Sequence, residues 1–442
     1  MKKLMVLLLA AALLLSAAVC FGQTAASLEA LAAIDAAATD EIHVVIWGTW
    51  GPDTPRGGWL ADRATEFSAM FDHVNVEYVS QGNYAGINEK ITQGAAAGDL
   101  PTLFYVEEAV VPGYNDLTMD LREVLPEETI DNYLDGLMVS LIAEDGKVMA
   151  VPMSRSLSIL YVNESLLEEA GWKGEDIETI DDMLTAAKAV YEATGVPGFS
   201  LFWDSDCWFF ESMIYAYGGQ VLSDDGQEVT FGEDYDYVGA KYMEAVQEGL
   251  IEGWIAQTYT AAQPDTELKL KFQNGEVAMM LFSNNNFTAY QQALEDNGYK
   301  MSLQLQPEGT ERSIVSGGGN WMLANTAAPA EAMMAGGWLQ YIASDENVLS
   351  WTDLCGAFII TESAYESETA QEMFEENPNH LKVYETMNYL HKRVNTPYWV
   401  EMYTYMHDKL SQFALYPEST DIYATVDDMA NKCAQIIEDN AW

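Results

Sequence analysis

The sequence predicts a two-lobed α/β protein with a ligand cleft between the lobes. Its 442 residues are 49% hydrophobic, and a chain of this length is expected to form two domains with separate cores. Predicted strands and helices alternate from residue 42 onward, which is typical of mostly parallel sheets flanked by helices. An apolar run at residues 157–162, shortly after an Asp-Gly turn, predicts a buried strand that passes from one lobe to the other.

The N-terminus has the composition of a secretory signal. Two lysines precede an apolar stretch that ends at Cys20. This stretch approaches a bacterial lipoprotein signal, but Val19 stands where Gly, Ala or Ser is usual, so lipid attachment at Cys20 and cleavage near residue 22 both stay open. We expect a signal peptide over residues 1–22, a flexible tether over residues 23–40, and export to the periplasm or to the outer face of the cytoplasmic membrane.

Net charge and the spacing of Cys and His residues exclude several kinds of partner and site. The formal net charge of −49 argues against nucleic acid and anionic lipid surfaces. Beyond the signal, Cys207, Cys355 and Cys433 have neither CxxC nor metal-ligand spacing, and both one disulfide and three buried free thiols are compatible with them. The five histidines lack the spacing of a zincin, so the sequence predicts no metal site and no cofactor.

The first third of the chain predicts a β-α-β-α-β unit. Strands at residues 42–48, 74–79 and 100–108 are separated by helices at residues 59–71 and 85–97. Aromatic or polar side chains follow each strand, and open α/β sheets bind ligands at these carboxyl ends. The candidate site residues of this unit are Trp47, Trp50, Asn83, Tyr84, Glu107 and Glu108.

The predicted hinge strand begins with polar side chains among apolar ones. Ser154, Arg155 and Ser156 need partners there, because a desolvated, unpaired polar group is costly. The fixed fork of donors on Arg155 suits hydroxyls, carboxylates or phosphates of a ligand, and the alternative is an ion pair with Glu107 or Glu108. Strand alternation predicts that only one of these two acids points inward.

The second half of the chain offers aromatic and amide groups in loops after predicted strands. Flat rings and amides match the C–H faces and hydroxyls of sugars. The alternatives to ligand binding are core packing for the tryptophans, a helix N-cap for the aspartate and a turn for the asparagines. The glycines let the backbone approach another group closely. The candidates are Trp203, Asp204, Trp208, Asn284, Asn285, Gly318 and Gly319.

Several stretches together resemble a known family. They are VVIWGTW, NVEYVSQGNY, GAAAGDLPTLF, DGKVMAVPMSRSLSILYVNESLLEEAG, FQNGEVAMML, SGGGNWMLANTAAPAEAMMAGGWLQYIAS and YATVDDMANKCAQII. In this order they are similar to extracellular solute-binding proteins of the family 1 type, the sugar-binding components of ABC importers such as the maltose- and glycerol-3-phosphate-binding proteins. The chain departs from the family at Pro101-Thr102, where Pro-Asp is common, and at the acid pair after the third strand.

The resemblance implies a periplasmic-binding-protein fold with three crossings between the lobes. They are expected near residues 150–155, 305–309 and 355–359. Lobe 1 would then comprise residues 41–151 and 308–356, and lobe 2 residues 152–307 and 357–442. The family also places a glycine-rich loop beside the cleft and a stacking aromatic in lobe 2, which adds Asn320 and Tyr403 to the candidates.

The expected function is capture of a mono- or oligosaccharide by hinge closure and its delivery to a membrane permease by a monomeric binding protein. The alternatives are a sugar phosphate, a polyol or a polyamine as ligand, or a secreted glycoside hydrolase. A hydrolase needs two carboxylates at a set separation, but with 69 acidic residues in the chain such a pair discriminates nothing. No nucleophile elbow is present, and an enzyme is therefore not the expected reading.

Overall fold

The computed structural model describes residues 27–203, 207–285, 287–393, 396 and 398–440. The strands are β1 (Ile42–Gly48), β2 (Val74–Ser80), β3 (Leu103–Glu107), β4 (Val151–Asn163), β5 (Phe199–Leu201), β6 (Ile255–Gln257), β7 (Met279–Ser283), β8 (Met301–Leu305), β9 (Ile314–Leu323) and β10 (Leu390–His391). The helices up to β5 are α1 (Leu28–Ala37), α2 (Pro55–Ser68), α3 (Tyr84–Ala97), α4 (Glu127–Asp131), α5 (Asp135–Met138), α6 (Glu164–Glu169) and α7 (Ile180–Thr194).

The remaining helices surround the second group of strands and form the C-terminal region. They are α8 (Trp208–Ala216), α9 (Val238–Glu252), α10 (Pro264–Gln273), α11 (Phe287–Asp296), α12 (Pro329–Ile342), α13 (Asp345–Cys355), α14 (Glu362–Glu366), α15 (Glu368–Glu376), α16 (Asn379–Glu385), α17 (Trp399–Leu415) and α18 (Ile422–Asn440). Short 3-10 helices lie between them, of which Glu108–Leu117 matters for the site.

The predicted β-α-β-α-β opening is confirmed. Strand β1 pairs in parallel with β2 on one side and with β3 on the other. Helix α2 begins earlier than predicted, because Thr54 accepts a hydrogen bond from the amide of Gly57 and acts as the N-cap. Helix α3 has Asn83 as its N-cap and ends at Gly98, which adopts the left-handed conformation.

The long strand β4 changes partners along its length. Its first half pairs antiparallel with β9, up to Leu157 opposite Ser316. Its second half pairs antiparallel with β7 and β8, from Ser158 opposite Ser283 onward. All thirteen residues of β4 are buried, and its last residue, Asn163, caps α6. The strand therefore runs from one group of strands into the other, and it begins earlier than the apolar run alone indicated.

The buried apolar side chains form two large clusters. The first core contains β1 to β3 together with α2, α3 and α12, whereas the second contains α7, α8, α9, α17 and α18. This arrangement is the two-lobed α/β fold, with the strand order β2-β1-β3-β9-β4-β7-β5-β6. The residue ranges given above for the two lobes stay predictions.

One predicted region has a different structure. Residues 28–37 form α1 instead of a flexible tether: Ser27 is its N-cap, and Leu31 is buried in the first core. The structure also answers the question of a disulfide. Cys207, Cys355 and Cys433 are three buried free thiols. Of the helices in the described ranges, none combines the length and the apolar composition that crossing a bilayer requires.

Candidate ligand-binding site

Asn284 fixes the point at which β4 changes partners. Its side-chain oxygen accepts a 2.7 Å hydrogen bond from the backbone N–H of Leu157, and its backbone N–H donates to the carbonyl of Leu157 at 3.0 Å. The side-chain nitrogen donates to the carbonyl of Gly356 at 3.5 Å. Asn284 is fully buried, so the structure gives this predicted ligand residue a role in holding the strands.

Arg155 lies in a buried ion pair. The guanidinium is 2.5 Å from a carboxylate oxygen of Glu108, and the two side chains are 0% and 1% exposed. It also donates to the hydroxyl of Ser316 at 2.8 Å and to the amide oxygen of Asn320 at 3.0 Å. Ser316 in turn donates to Glu108 at 2.7 Å, which closes the network. Of the two alternatives for Arg155, the structure therefore favours the ion pair over a direct ligand contact.

The prediction that only one of Glu107 and Glu108 points inward is wrong. Both are buried, and each has its own arginine: Glu108 pairs with Arg155, and Glu107 with Arg393 at 3.3 Å. Alternation fails because β3 ends at Glu107 and a 3-10 helix begins at Glu108, so the two residues do not share one strand. Arg393 also binds Glu211 at 2.5 Å, and neither residue was among the predicted site residues.

Aromatic side chains of β3, of α13 and of the segments after β1 and β2 form a first aromatic cluster. The half-buried Trp50 packs against Tyr105, with ring centroids 4.9 Å apart, and against Trp351 at 5.4 Å. Tyr84 stacks on Tyr105 at 5.9 Å with an angle of 14° between the rings. The guanidinium of Arg56 lies 5.5 Å from the centroid of Trp50. Tyr105 and Trp351 were not among the predicted site residues.

The cluster also explains part of the glycine-rich segment. A side chain at Gly319 would meet the ring of Tyr105, and a side chain at Gly318 would meet the carbonyl oxygen of Ser154. Gly318 also has a φ of +95°, which favours glycine. The close approach expected of these glycines is therefore to the protein's own ring and backbone. Trp47 is half-buried against the first core, and Asn83 uses its side chain to cap α3.

A second aromatic cluster lies at the ends of β5 and β7. Phe202 stacks on Tyr259, with centroids 6.2 Å apart and 14° between the planes, and it contacts Phe282 at 5.8 Å. Phe209 lies 6.2 Å from Phe282 and extends the cluster. Lys269 lies 5.6 Å from the centroid of Phe282. Phe202 and Phe282 end the apolar segments FSLF and MMLF, so the sequence does place an aromatic ring at the end of each strand. The prediction instead selected the neighbouring tryptophans.

The two tryptophans predicted beside this cluster belong to the core. Trp203 is 0% exposed and packs edge-on against Phe210 and Tyr242, at 5.9 and 5.7 Å. Trp208 is buried, and its indole nitrogen donates to the carbonyl of Val315 at 2.7 Å. This burial argues against a ligand contact for either ring. Asp204 lies outside the described residues.

A polar cluster lies between β4 and β7, close to the second aromatic cluster. Asn285 donates to the hydroxyl of Ser156 at 2.6 Å, and Ser283 donates to the same hydroxyl at 3.2 Å. Asn285 and Ser283 are half-buried, and the side-chain oxygen of Asn285 has no hydrogen-bond partner in the structure. Tyr403 is also half-buried, at the margin of the second core. Ser156, Ser283 and Asn285 therefore combine hydroxyl and amide groups in a place that a ligand hydroxyl can use.

Metal binding has no support from the side-chain arrangement. Within the described ranges, no group of three or more His, Cys, Asp and Glu side chains is suitably placed to hold an ion. The site offers two aromatic clusters, the first packed on the first core and the second in contact with both cores through Phe202 and Phe282, together with polar side chains of β4, β7 and β9. Such an arrangement can bind a flat, hydroxylated molecule by stacking and hydrogen bonding.

Comparisons with known proteins agree with this chemistry. A family described as "Bacterial extracellular solute-binding protein" matches residues 62–381. The sn-glycerol-3-phosphate-binding periplasmic protein UgpB of Pectobacterium atrosepticum is 24% identical over 385 residues, covering 80% of this chain and 82% of that protein. The maltodextrin-binding protein MdxE of Bacillus subtilis is 24% identical over 311 residues, covering 68% of each.

A solved structure is similar over almost the whole chain. The cyclic alpha-maltosyl-1,6-maltose binding protein from Arthrobacter globiformis superposes with a TM-score of 0.74 at 20% identity, covering 90% of this chain and all of that one. At this identity the likeness establishes the two-lobed fold, which the sequence had predicted.

Proposed function

Because the chain belongs to the family of bacterial extracellular solute-binding proteins, we propose that it captures a neutral mono- or oligosaccharide and delivers it to an ABC permease. The membership makes the protein the substrate-binding component of an importer, which leaves the ligand and the permease as the open questions. Its relatives bind, by their names, a phosphate ester in one case and a maltodextrin in another.

The observation that carries the saccharide proposal is the pair of aromatic clusters. All four rings are half-buried: Trp50 and Tyr84 of the first cluster pack against the first core, whereas Phe202 and Phe282 of the second pack against both cores. A sugar ring has an apolar C–H face that packs on such rings and a rim of hydroxyls that needs both donors and acceptors. The polar cluster at Asn285 supplies both.

The charge of the site supports a neutral ligand. Arg155 is the predicted cation nearest the junction of the strands, and its charge is balanced by Glu108 at 2.5 Å. A phosphate that bound Arg155 would have to displace this buried carboxylate, which would then remain desolvated and unpaired. A sugar phosphate keeps one supporting observation, the guanidinium of Arg56 over the half-buried Trp50. It is the second candidate.

A thermal-shift screen tests the proposal directly. The panel contains neutral sugars, polyols, sugar phosphates and polyamines, since a ligand that binds only the folded protein raises its apparent stability. We expect a shift with one or more neutral saccharides, confirmed by calorimetry. A shift with sugar phosphates alone, lost in Arg56→Gln, would favour the second candidate, and a shift with polyamines alone would contradict both.

Export and membrane attachment are part of the same proposal. The signal peptide over residues 1–22 and the lipid site at Cys20 lie outside the described residues. Mass spectrometry of the mature protein purified from a bacterial host distinguishes a lipidated N-terminal Cys20 from an unmodified N-terminus near residue 23. A hydrolysis assay on oligosaccharides with the same sample tests the proposal that the protein is a binder, for which no turnover is expected.

A further inference from the structure

Arg393 joins parts of the molecule that belong to different cores. Its side chain is 0% exposed and lies 2.5 Å from Glu211 and 3.3 Å from Glu107. Glu107 ends β3, whose residues Tyr105 and Val106 are in the first core, whereas Glu211 is in α8, whose neighbouring residues are in the second. The two carboxylates are 3% and 1% exposed. We refer to these three side chains as the Arg393 bridge.

Several contacts fix Arg393 to the second core. The side chain of Arg393 makes two bonds to the same oxygen of Glu211, at 2.9 and 2.5 Å, whereas its bond to Glu107 is longer, at 3.3 Å. Two residues earlier, His391 stacks on Tyr215 of α8 with ring centroids 4.1 Å apart. The bond between Arg393 and Glu107 is therefore the one that breaks when the two lobes separate.

We propose that Arg393 is a positioning residue for ligand capture: through Glu107 it holds the lobes together and raises the populated fraction of the closed protein. Hydrogen bonds between ionised groups are the strong ones, and burial protects this one from screening by salt. Ligand affinity depends on the fraction of molecules that are competent to bind. The bridge would thus set affinity without any contact between Arg393 and the ligand.

The variant Glu107→Leu tests the bridge with little risk to the fold. It removes the link between the lobes, while Arg393 keeps its ion pair with Glu211 and no buried arginine is left unpaired. Lobe separation is measured without ligand, by pulsed electron paramagnetic resonance between spin labels at Asp62→Cys on α2 and Glu192→Cys on α7. Both labelled positions are exposed, and the three thiols in the described part of the chain, Cys207, Cys355 and Cys433, are buried.

We expect the ratio of closed to open molecules to fall about tenfold in Glu107→Leu, which corresponds to about 1.4 kcal/mol. Glu107→Gln keeps an acceptor for Arg393 but removes the charge of the bond between the lobes, and should shift the distances in the same direction by less. The matched control is Lys188→Gln, because Lys188 also binds two carboxylates, at 2.9 and 3.2 Å, but both are on α9 within one lobe. Its distance distribution should equal that of the parent protein.

Unchanged distances in both folded glutamate variants would overturn the proposal. Failure of Glu107→Leu to fold leaves Glu107→Gln to decide the question, since that variant keeps an acceptor for Arg393. Because the measurement needs no ligand, its outcome is independent of the saccharide proposal. This matters for Glu107, which the sequence marked as a candidate ligand contact.

Discussion

Replacing Arg155 by methionine should destabilise the ligand-free protein. The substitution leaves the carboxylate of Glu108, which is 1% exposed, without its cation. Removing one partner of a buried ion pair costs about 3–5 kcal/mol. If one lobe of 150–250 residues unfolds as a unit, each kcal/mol lowers its melting temperature by about 2–4 °C. The expected loss is therefore about 6–20 °C.

The assay is thermal unfolding followed by circular dichroism at fixed salt and protein concentration. The double variant Arg155→Met/Glu108→Gln removes both charges and should recover most of the lost stability. The control is Arg122→Met, since Arg122 is half-exposed and lies 3.7 Å from Asp120. Such a surface pair contributes less than about 1 kcal/mol.

Either of two results would refute this reasoning. If Arg155→Met melts at the temperature of the parent protein but no longer responds to the ligand found in the screen, Arg155 serves binding and the ion pair with Glu108 is incidental. A double variant no more stable than the single one would also contradict it, because the unpaired carboxylate would then not be the cause of the loss.

Three further predictions concern aromatic packing, pH and salt. Trp50→Ala should weaken saccharide binding with little effect on the melting temperature, whereas Trp203→Ala should cost about 3–5 kcal/mol of stability because a buried ring is lost; calorimetry and unfolding separate the two. Burial lowers the pKa of His380 to about 4, against the opposing field of Asp353, so the unfolded chain binds a proton between about pH 6.5 and 4 that the folded protein does not. Stability is therefore complete above about pH 6.5 and falls by up to about 3 kcal/mol as the pH drops to about 4, and His380→Phe should remove this part of the pH profile. With 69 acidic and 20 basic residues, mutual repulsion should make the melting temperature rise with sodium chloride, and a flat salt titration would count against it.

Local sequence patterns were sufficient for the elements that hold the site. The apolar run at residues 157–162 predicts a strand, and the structure has one there; the helices that follow are capped by Asn163 and Thr179, residue types that favour the N-cap position. These features depend on neighbours within a few residues, and the spacing of apolar residues in strands and helices makes them predictable from sequence. The start of β4 could not be predicted in this way. Ser154 and Arg155 are polar and interrupt the apolar pattern, and their pairing with β9 is visible only in the structure.

The buried charges could not be predicted, since their partners are distant in the sequence. Arg393 and Glu107 are 286 residues apart, and Arg393 and Glu211 are 182 apart. Nothing in the sequence near Arg393 shows which of the many carboxylates it binds. The placement of Glu108 also depended on β3 ending one residue earlier, which is within the uncertainty of any boundary read from sequence.

The hydrogen bonds that each side chain already makes within the protein distinguish the proposed ligand contacts from the structural polar groups of this site. Arg155 was a candidate because it lies at the predicted hinge, and Asn284 because it follows a predicted strand. Both terminal nitrogens of Arg155 and both side-chain polar atoms of Asn284, however, bind groups of the protein itself. A ligand would have to replace those bonds before it gained anything, so its net gain there is small. Trp50 and Asn285 differ, because the first is a half-buried ring and the second a half-buried amide whose oxygen has no partner. If the saccharide proposal is correct, substituting Trp50 or Asn285 should therefore reduce affinity more than it reduces stability, and substituting Arg155 should do the reverse.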